Sequence, residues 1–154
     1  MLNKILTNVV VTEDSITRLQ KLLASLVDDV DGTAAFLVEK SGQMLVSEGE
    51  LRGLDTTAIA SLVCSAFAST RAVAKLIGES EFTALFQQGE RHSIFMYALP
   101  TQDILVVIYS DQSKTGLVKV HTAKAAERVA EELSLMSPSG AGQRAITGAL
   151  ERGI

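Results

Sequence analysis

One cysteine, two prolines and two histidines occur in these 154 residues, and the scarcities exclude a good deal before any pattern is read. A lone Cys64 closes no intrachain disulfide, so the natural compartment is a reducing cytoplasm and the expected localisation is cytoplasmic. Basic residues do not cluster. Lys and Arg are scattered along a chain of net charge −4, whereas phosphate affinity needs a concentrated basic surface, so no nucleic-acid partner is expected. No uninterrupted apolar run reaches membrane-spanning length, so no membrane partner is expected. Met1 to Thr12 holds one Lys and the short Val9-Val10-Val11 run without a cleavage-site pattern, and a signal peptide is not expected there.

Reactive chemistry is equally sparse. The chain has no GxxxxGK[ST] phosphate loop and no GxGxxG following a strand. Gly140-Ala141-Gly142 lies in a small-residue tail and reads as linker. His92 and His121 are far apart, and Cys64 has no neighbouring ligand at metal spacing. A Cys64-based nucleophile is formally possible, but a small residue on a helix face is the preferred reading. Glu79 and Glu81 read as solvated loop carboxylates. No catalytic residue, cofactor or metal site is expected, and the chain reads as a binding protein, not an enzyme.

What is present is a one-domain composition: 47% apolar and 21% charged residues over a length that can bury a core unaided. Ile16, Leu19, Leu22, Leu23, Leu26 and Val27 form an apolar stripe at helical spacing, which Thr12 can cap and Asp31-Gly32 ends. Ala35 to Glu39 and Gln43 to Ser47 read as a hairpin about Ser41-Gly42. A long helix follows from Asp55 or Thr56 to Gly78. Phe82 to Gln88, Ser93 to Ala98 and Ile104 to Tyr109 are the next strands. Ile104 to Ile108 is apolar without alternation, as befits a central strand covered on both faces. Lys114 to Leu135 is the last clear helix, with Leu117, Val118, Val120, Val129, Ala130 and Leu133 apolar. Pro138-Ser139-Gly140 breaks it. Residues 138–154 read as a flexible or short helical tail beyond a domain spanning 1–137. The expected fold is α/β (α+β), order α-β-β-α-β-β-β-α, with a five-stranded, mainly antiparallel sheet and helices on both faces.

The helix from Asp55 to Leu76 carries the strongest functional signal. Ile59, Leu62, Val63, Ala66, Phe67, Val73 and Ala74 make a core-facing pattern. Ser61, Cys64, Ser65, Ala68 and Ala72 fill the opposite side, where a solvated helix would carry Lys and Glu. Arg71 is the only charge between Asp55 and Lys75. Small side chains let another backbone come close, so this face is the expected docking surface for a partner. The alternative is a helix enclosed within a larger core.

The order of elements, with Phe36-Leu37-Val38, Ser41-Gly42, Leu54-Asp55-Thr56, Ala74 to Glu79, Gln88-Gly89-Glu90-Arg91 and Gly116 to His121 in their positions, resembles the roadblock/dynein light chain family. Within that family it resembles the bacterial MglB type. The resemblance covers Ile16 to Leu135 and is carried by order and spacing together, not by one motif. It implies a homodimer whose sheet runs through both subunits, paired along Phe82, Thr83, Ala84, Leu85 and Phe86. This stretch carries no Pro or Lys to keep an edge strand from pairing. It further implies a small Ras-like GTPase partner of the MglA type, whose hydrolysis the protein stimulates as a polarity and motility switch. Arg52, Arg71 and Arg91 are the candidates for an inserted arginine. The MglB-type resemblance favours activation by repositioning the GTPase's own groups. A scaffold that positions a GTPase or another roadblock protein without changing its rate is the alternative. A small-molecule sensor is a third reading, disfavoured by the wholly apolar Ile104–Ile108 strand.

Overall fold

A computed structural model describes residues 4–6, 9–11 and 13–136 of the chain. A short antiparallel ribbon of β1 (Lys4–Leu6) and β2 (Val9–Val11) comes first. After it come α1 (Glu13–Val30), β3 (Ala34–Val38), β4 (Met44–Gly49), α2 (Thr56–Leu76), β5 (Ala84–Gln88), β6 (Ser93–Ala98), β7 (Ile104–Tyr109) and α3 (Thr115–Met136). Past the ribbon, the order is the one the sequence implies. The ribbon itself was not expected: three-residue strands are too short to show a period. The Thr12 cap and the tail beyond Met136 lie outside the described residues.

The main sheet has the order β4-β3-β7-β6-β5 and is antiparallel throughout. Two local hairpin units are joined by the non-local β3–β7 pairing, whose register sets Ala34 opposite Ile108 and Val38 opposite Ile104. Every residue of β3 and β7 is buried, which fits central strands covered on both faces. Alternate side chains go to opposite layers. Ala35, Leu37, Leu105 and Val107 meet Leu19, Leu23 and Leu26 of α1 and Val118, Val129 and Leu133 of α3. Phe36, Val38, Ile104 and Val106 meet Ala60, Val63 and Phe67 of α2.

Helices α1 and α2 end in the same way. Beyond α1, Asp31 takes φ +50° while the N–H groups of Asp31 and Gly32 donate to the carbonyls of Asp28 and Val27. Beyond α2, Gly78 takes φ +83° while Gly78 and Glu79 donate to Lys75 and Ala74. This left-handed closure satisfies carbonyls that the helix leaves open. At its start, α2 is capped by Asp55, whose Oδ1 accepts the Ala58 N–H at 3.0 Å.

Three expectations are corrected. Leu62 and Val73 are not core: they are 67% and 51% exposed, and α2 sits on the sheet by a narrower stripe of Ala60, Val63, Phe67 and Ala74. Two stripes one residue apart share the same helical spacing, and only the sheet decides which one is covered. On α3, Leu117 and Val120 are likewise exposed, and Thr122, Ala126 and Met136 take the inner positions. Strand β5 begins at Ala84; Phe82 and Thr83 precede it, with the Thr83 carbonyl accepting the Ala98 N–H at 2.8 Å. By length and composition α2 is also apolar enough to cross a membrane, with a mean hydropathy of 1.4. Its buried stripe on the sheet assigns it to the folded domain.

Candidate functional site

The small-residue face of α2 is open. Ser61, Ser65, Ala68 and Ala72 are exposed and Cys64 is half-buried, so in this chain the helix is not enclosed by a larger core. Spacings of three, four and seven residues from Ser61 set Cys64, Ser65 and Ala68 on one side. The Ser65 hydroxyl turns back to the Ser61 carbonyl at 3.1 Å, which keeps the surface smooth. A second exposed strip of the same helix holds Leu62 and Val73 and continues into Leu76 and Ile77, 86% and 65% exposed. Four large apolar side chains on one helix and its cap are more than scattered surface hydrophobes.

Cys64, Ser65, Ala68 and Arg71 form one wall of a cavity of about 280 Å³, and Lys40, Gln102 and Ile104 form the other. In the sequence, Lys40 and Gln102 stand only as residues of turns. The β3–β7 pairing draws the turn after β3 and the turn before β7 together beside α2. No periodicity in the sequence reports that meeting. Gln102 holds φ +73°, a left-handed conformation uncommon outside glycine.

Next to this cavity lie two buried carboxylates, Glu39 and Asp103, 1% and 4% exposed. Asp103 accepts the Lys40 N–H at 2.9 Å and the Thr101 hydroxyl at 2.6 Å. Burial nevertheless pushes its carboxyl above the ordinary aspartate value, and the neighbouring Glu39 charge pushes the same way. Glu39 accepts from the backbone N–H and the hydroxyl of Ser41, while its Oε1 has no partner among the described residues. Its backbone carbonyl accepts the Cys64 thiol at 3.7 Å. Burial, then Glu39, raises the Cys64 thiol above its usual value, which holds it protonated and poorly nucleophilic at neutral pH. The two carboxylates therefore tie down turns.

The remaining candidates do not converge. Arg52 stands in the turn before α2, 3.8 Å from Glu50, with its side chain 92% exposed. Arg91 is exposed in the β5–β6 turn, as is His92, while His121 lies on α3, 3.7 Å from Asp29. Among the described residues no group of three or more His, Cys, Asp or Glu is placed to hold a metal ion. Strand β5 is a sheet edge: Ala84, Gln87 and Gln88 are exposed, Leu85 is packed towards the α2 layer, and Phe86 is packed towards the α1–α3 layer. Lys119 sits 5.6 Å from the Phe86 ring centre.

A five-stranded antiparallel sheet with one helix on one face and two on the other, entered in this order, defines a roadblock-like domain. The chain belongs to the Roadblock/LC7 domain family, whose model matches residues 19–109. Among solved structures it is similar to MglB of Myxococcus xanthus, at 34% identity and a TM-score of 0.71, covering 75% of this chain and 94% of that one. It is also similar to the gliding protein MglB of Thermus thermophilus, at 25% identity and a TM-score of 0.77, covering 84% and 98%. An MglB described as having a tetrameric arrangement matches at 26% identity with a TM-score of 0.78 over the same shares. No curated protein sequence matches significantly.

Proposed function

We propose that this protein is a homodimeric regulator that binds a small Ras-like GTPase of the MglA type and stimulates its GTP hydrolysis. The observation that carries the reading is the open small-residue face of α2, Ser61, Cys64, Ser65, Ala68 and Ala72, in a roadblock domain similar to MglB over most of its length. Little side chain stands between that backbone and a partner, so a switch segment of the GTPase can lie against the helix. The β5 edge and the apolar strip of Leu62, Val73, Leu76 and Ile77 support self-association, since an edge strand can pair with its copy and an exposed apolar strip can be covered by one. Activation works by ordering groups that the GTPase itself carries.

The test is single-turnover hydrolysis by the GTPase, with and without saturating amounts of this protein. Acceleration supports the activator. Tight binding with an unchanged rate would make it a scaffold, and no binding would overturn the reading altogether.

A further inference from the structure

We propose that the cavity beside α2 receives an acidic side chain of the docked GTPase, with Arg71 and Lys40 as its specificity-determining contacts. The inference rests on the proposed function and deepens it by giving the contact a chemistry. Arg71 comes from the C-terminal half of α2 and Lys40 from the turn after β3, yet both line the same cavity of about 280 Å³. Among the described residues neither forms a salt bridge; the lysine and arginine pairs that exist involve Arg18, Arg52 and Lys114. Both cations face one cavity without an ion pair of their own, and an incoming carboxylate there would meet two opposite charges.

The nearest acids do not fill this role. Glu39 and Asp103 are buried and bonded to Ser41, Thr101 and the Lys40 backbone. The Lys40 ammonium acts on Asp103 only through space, without an ion pair. The Gln102 carboxamide on the facing wall can also donate, while the Ser65 hydroxyl is already given to the Ser61 carbonyl, so the residues lining the cavity offer ammonium, guanidinium and carboxamide donors and include no carboxylate. A carboxylate accepts from such a set, with the guanidinium supplying its paired N–H groups. The cavity opens beside exposed Ser65 and Ala68, where a partner backbone can approach closely enough to deliver a short acidic side chain. The whole chain carries net charge −4, so this basic spot is also where an acidic surface meets attraction instead of repulsion.

The experiment measures binding of the GTPase, loaded with a non-hydrolysable GTP analogue, over a range of salt. The variants are Lys40→Glu, Arg71→Glu, the two combined, Arg71→Gln and Ala68→Arg. Each charge reversal should weaken binding by about tenfold or more. The doubly reversed protein should lose much of the salt dependence, and hydrolysis at saturation should stay near the original rate. Reversing the matching acidic residue on the GTPase should restore binding to Arg71→Glu. Normal affinity for the doubly reversed protein, with Ala68→Arg inactive, would overturn this contact and leave the docking face standing. Normal affinity for all variants would remove the face as well. A collapse of the saturated rate in Arg71→Gln would make Arg71 an inserted arginine and overturn its role as an anchor.

Discussion

Asp103 is held in the fold by two donors and opposed by its burial and by Glu39. A carboxyl whose folded pKa is raised binds its proton more tightly folded than unfolded, so its contribution to stability falls as pH rises from the ordinary aspartate value through the raised one. Asp103→Asn keeps an acceptor for the Lys40 N–H and removes the charge. It should leave stability at neutral pH unchanged or slightly higher and flatten this part of the acid-side profile, as read by urea unfolding between about pH 4 and 7. An unchanged profile would show that the carboxylate is not strained by burial. Arg52→Ala, Arg71→Ala and Arg91→Ala should each retain most of the activation at saturating protein, because an inserted arginine is worth about a thousandfold or more in rate. Single-turnover hydrolysis separates that loss from the affinity change expected of Arg71.

Helix α2 serves two faces with one backbone. Its narrow buried stripe leaves the small-residue side free, and a large side chain there needs no repacking of the core. Ala68→Arg and Ala72→Arg should therefore fold and self-associate normally and lose GTPase binding, checked by circular dichroism and a pull-down on the same samples. Unfolding would instead show that the face is core. The end of this helix depends on backbone geometry alone. Nothing lies within 4 Å of a Cβ added at Gly78, so Gly78→Ala meets no clash and bears only the φ of +83°. The expected cost is about 1 kcal/mol in a denaturant titration. At the corresponding position after α1, Asp31 takes φ +50°, which aspartate adopts more readily than most side chains, and makes a 2.8 Å ion pair with Lys114.

As a whole, the described residues present β5 at an edge of the sheet and an exposed apolar strip on α2. Pairing β5 with its copy would continue the sheet across a two-fold axis and supply partners for edge groups between Ala84 and Gln88. Phe82 and Thr83 lie just before the strand, with the Thr83 carbonyl already accepting the Ala98 N–H, and stand next to that pairing. Sedimentation at micromolar concentration should show a species of twice 16.4 kDa. A species of 16.4 kDa alone would rule out the dimer. Val73→Asp with Leu76→Asp tests the strip: it should shift the equilibrium towards monomer without unfolding, because both side chains are already exposed.

Past the β1–β2 ribbon, the elements are legible in the sequence alone. Hydrophobic period, Asp55 as a cap, Gly78 as a stop and turn residues between strands are local signals, and local chemistry suffices to read them. Ile104 to Ile108 even disclosed its central place, because a strand covered twice has no polar side. The small face of α2 was legible as well, since the scarcity of charge from Asp55 to Lys75 is visible residue by residue. Tertiary structure alone decided which of two helix stripes meets the sheet, hence the exposure of Leu62 and Val73. It also decided that Lys40 and Gln102 stand beside Arg71. That meeting follows from the pairing of β3 with β7, strands far apart in the chain, and no local pattern encodes the register of so distant a partner.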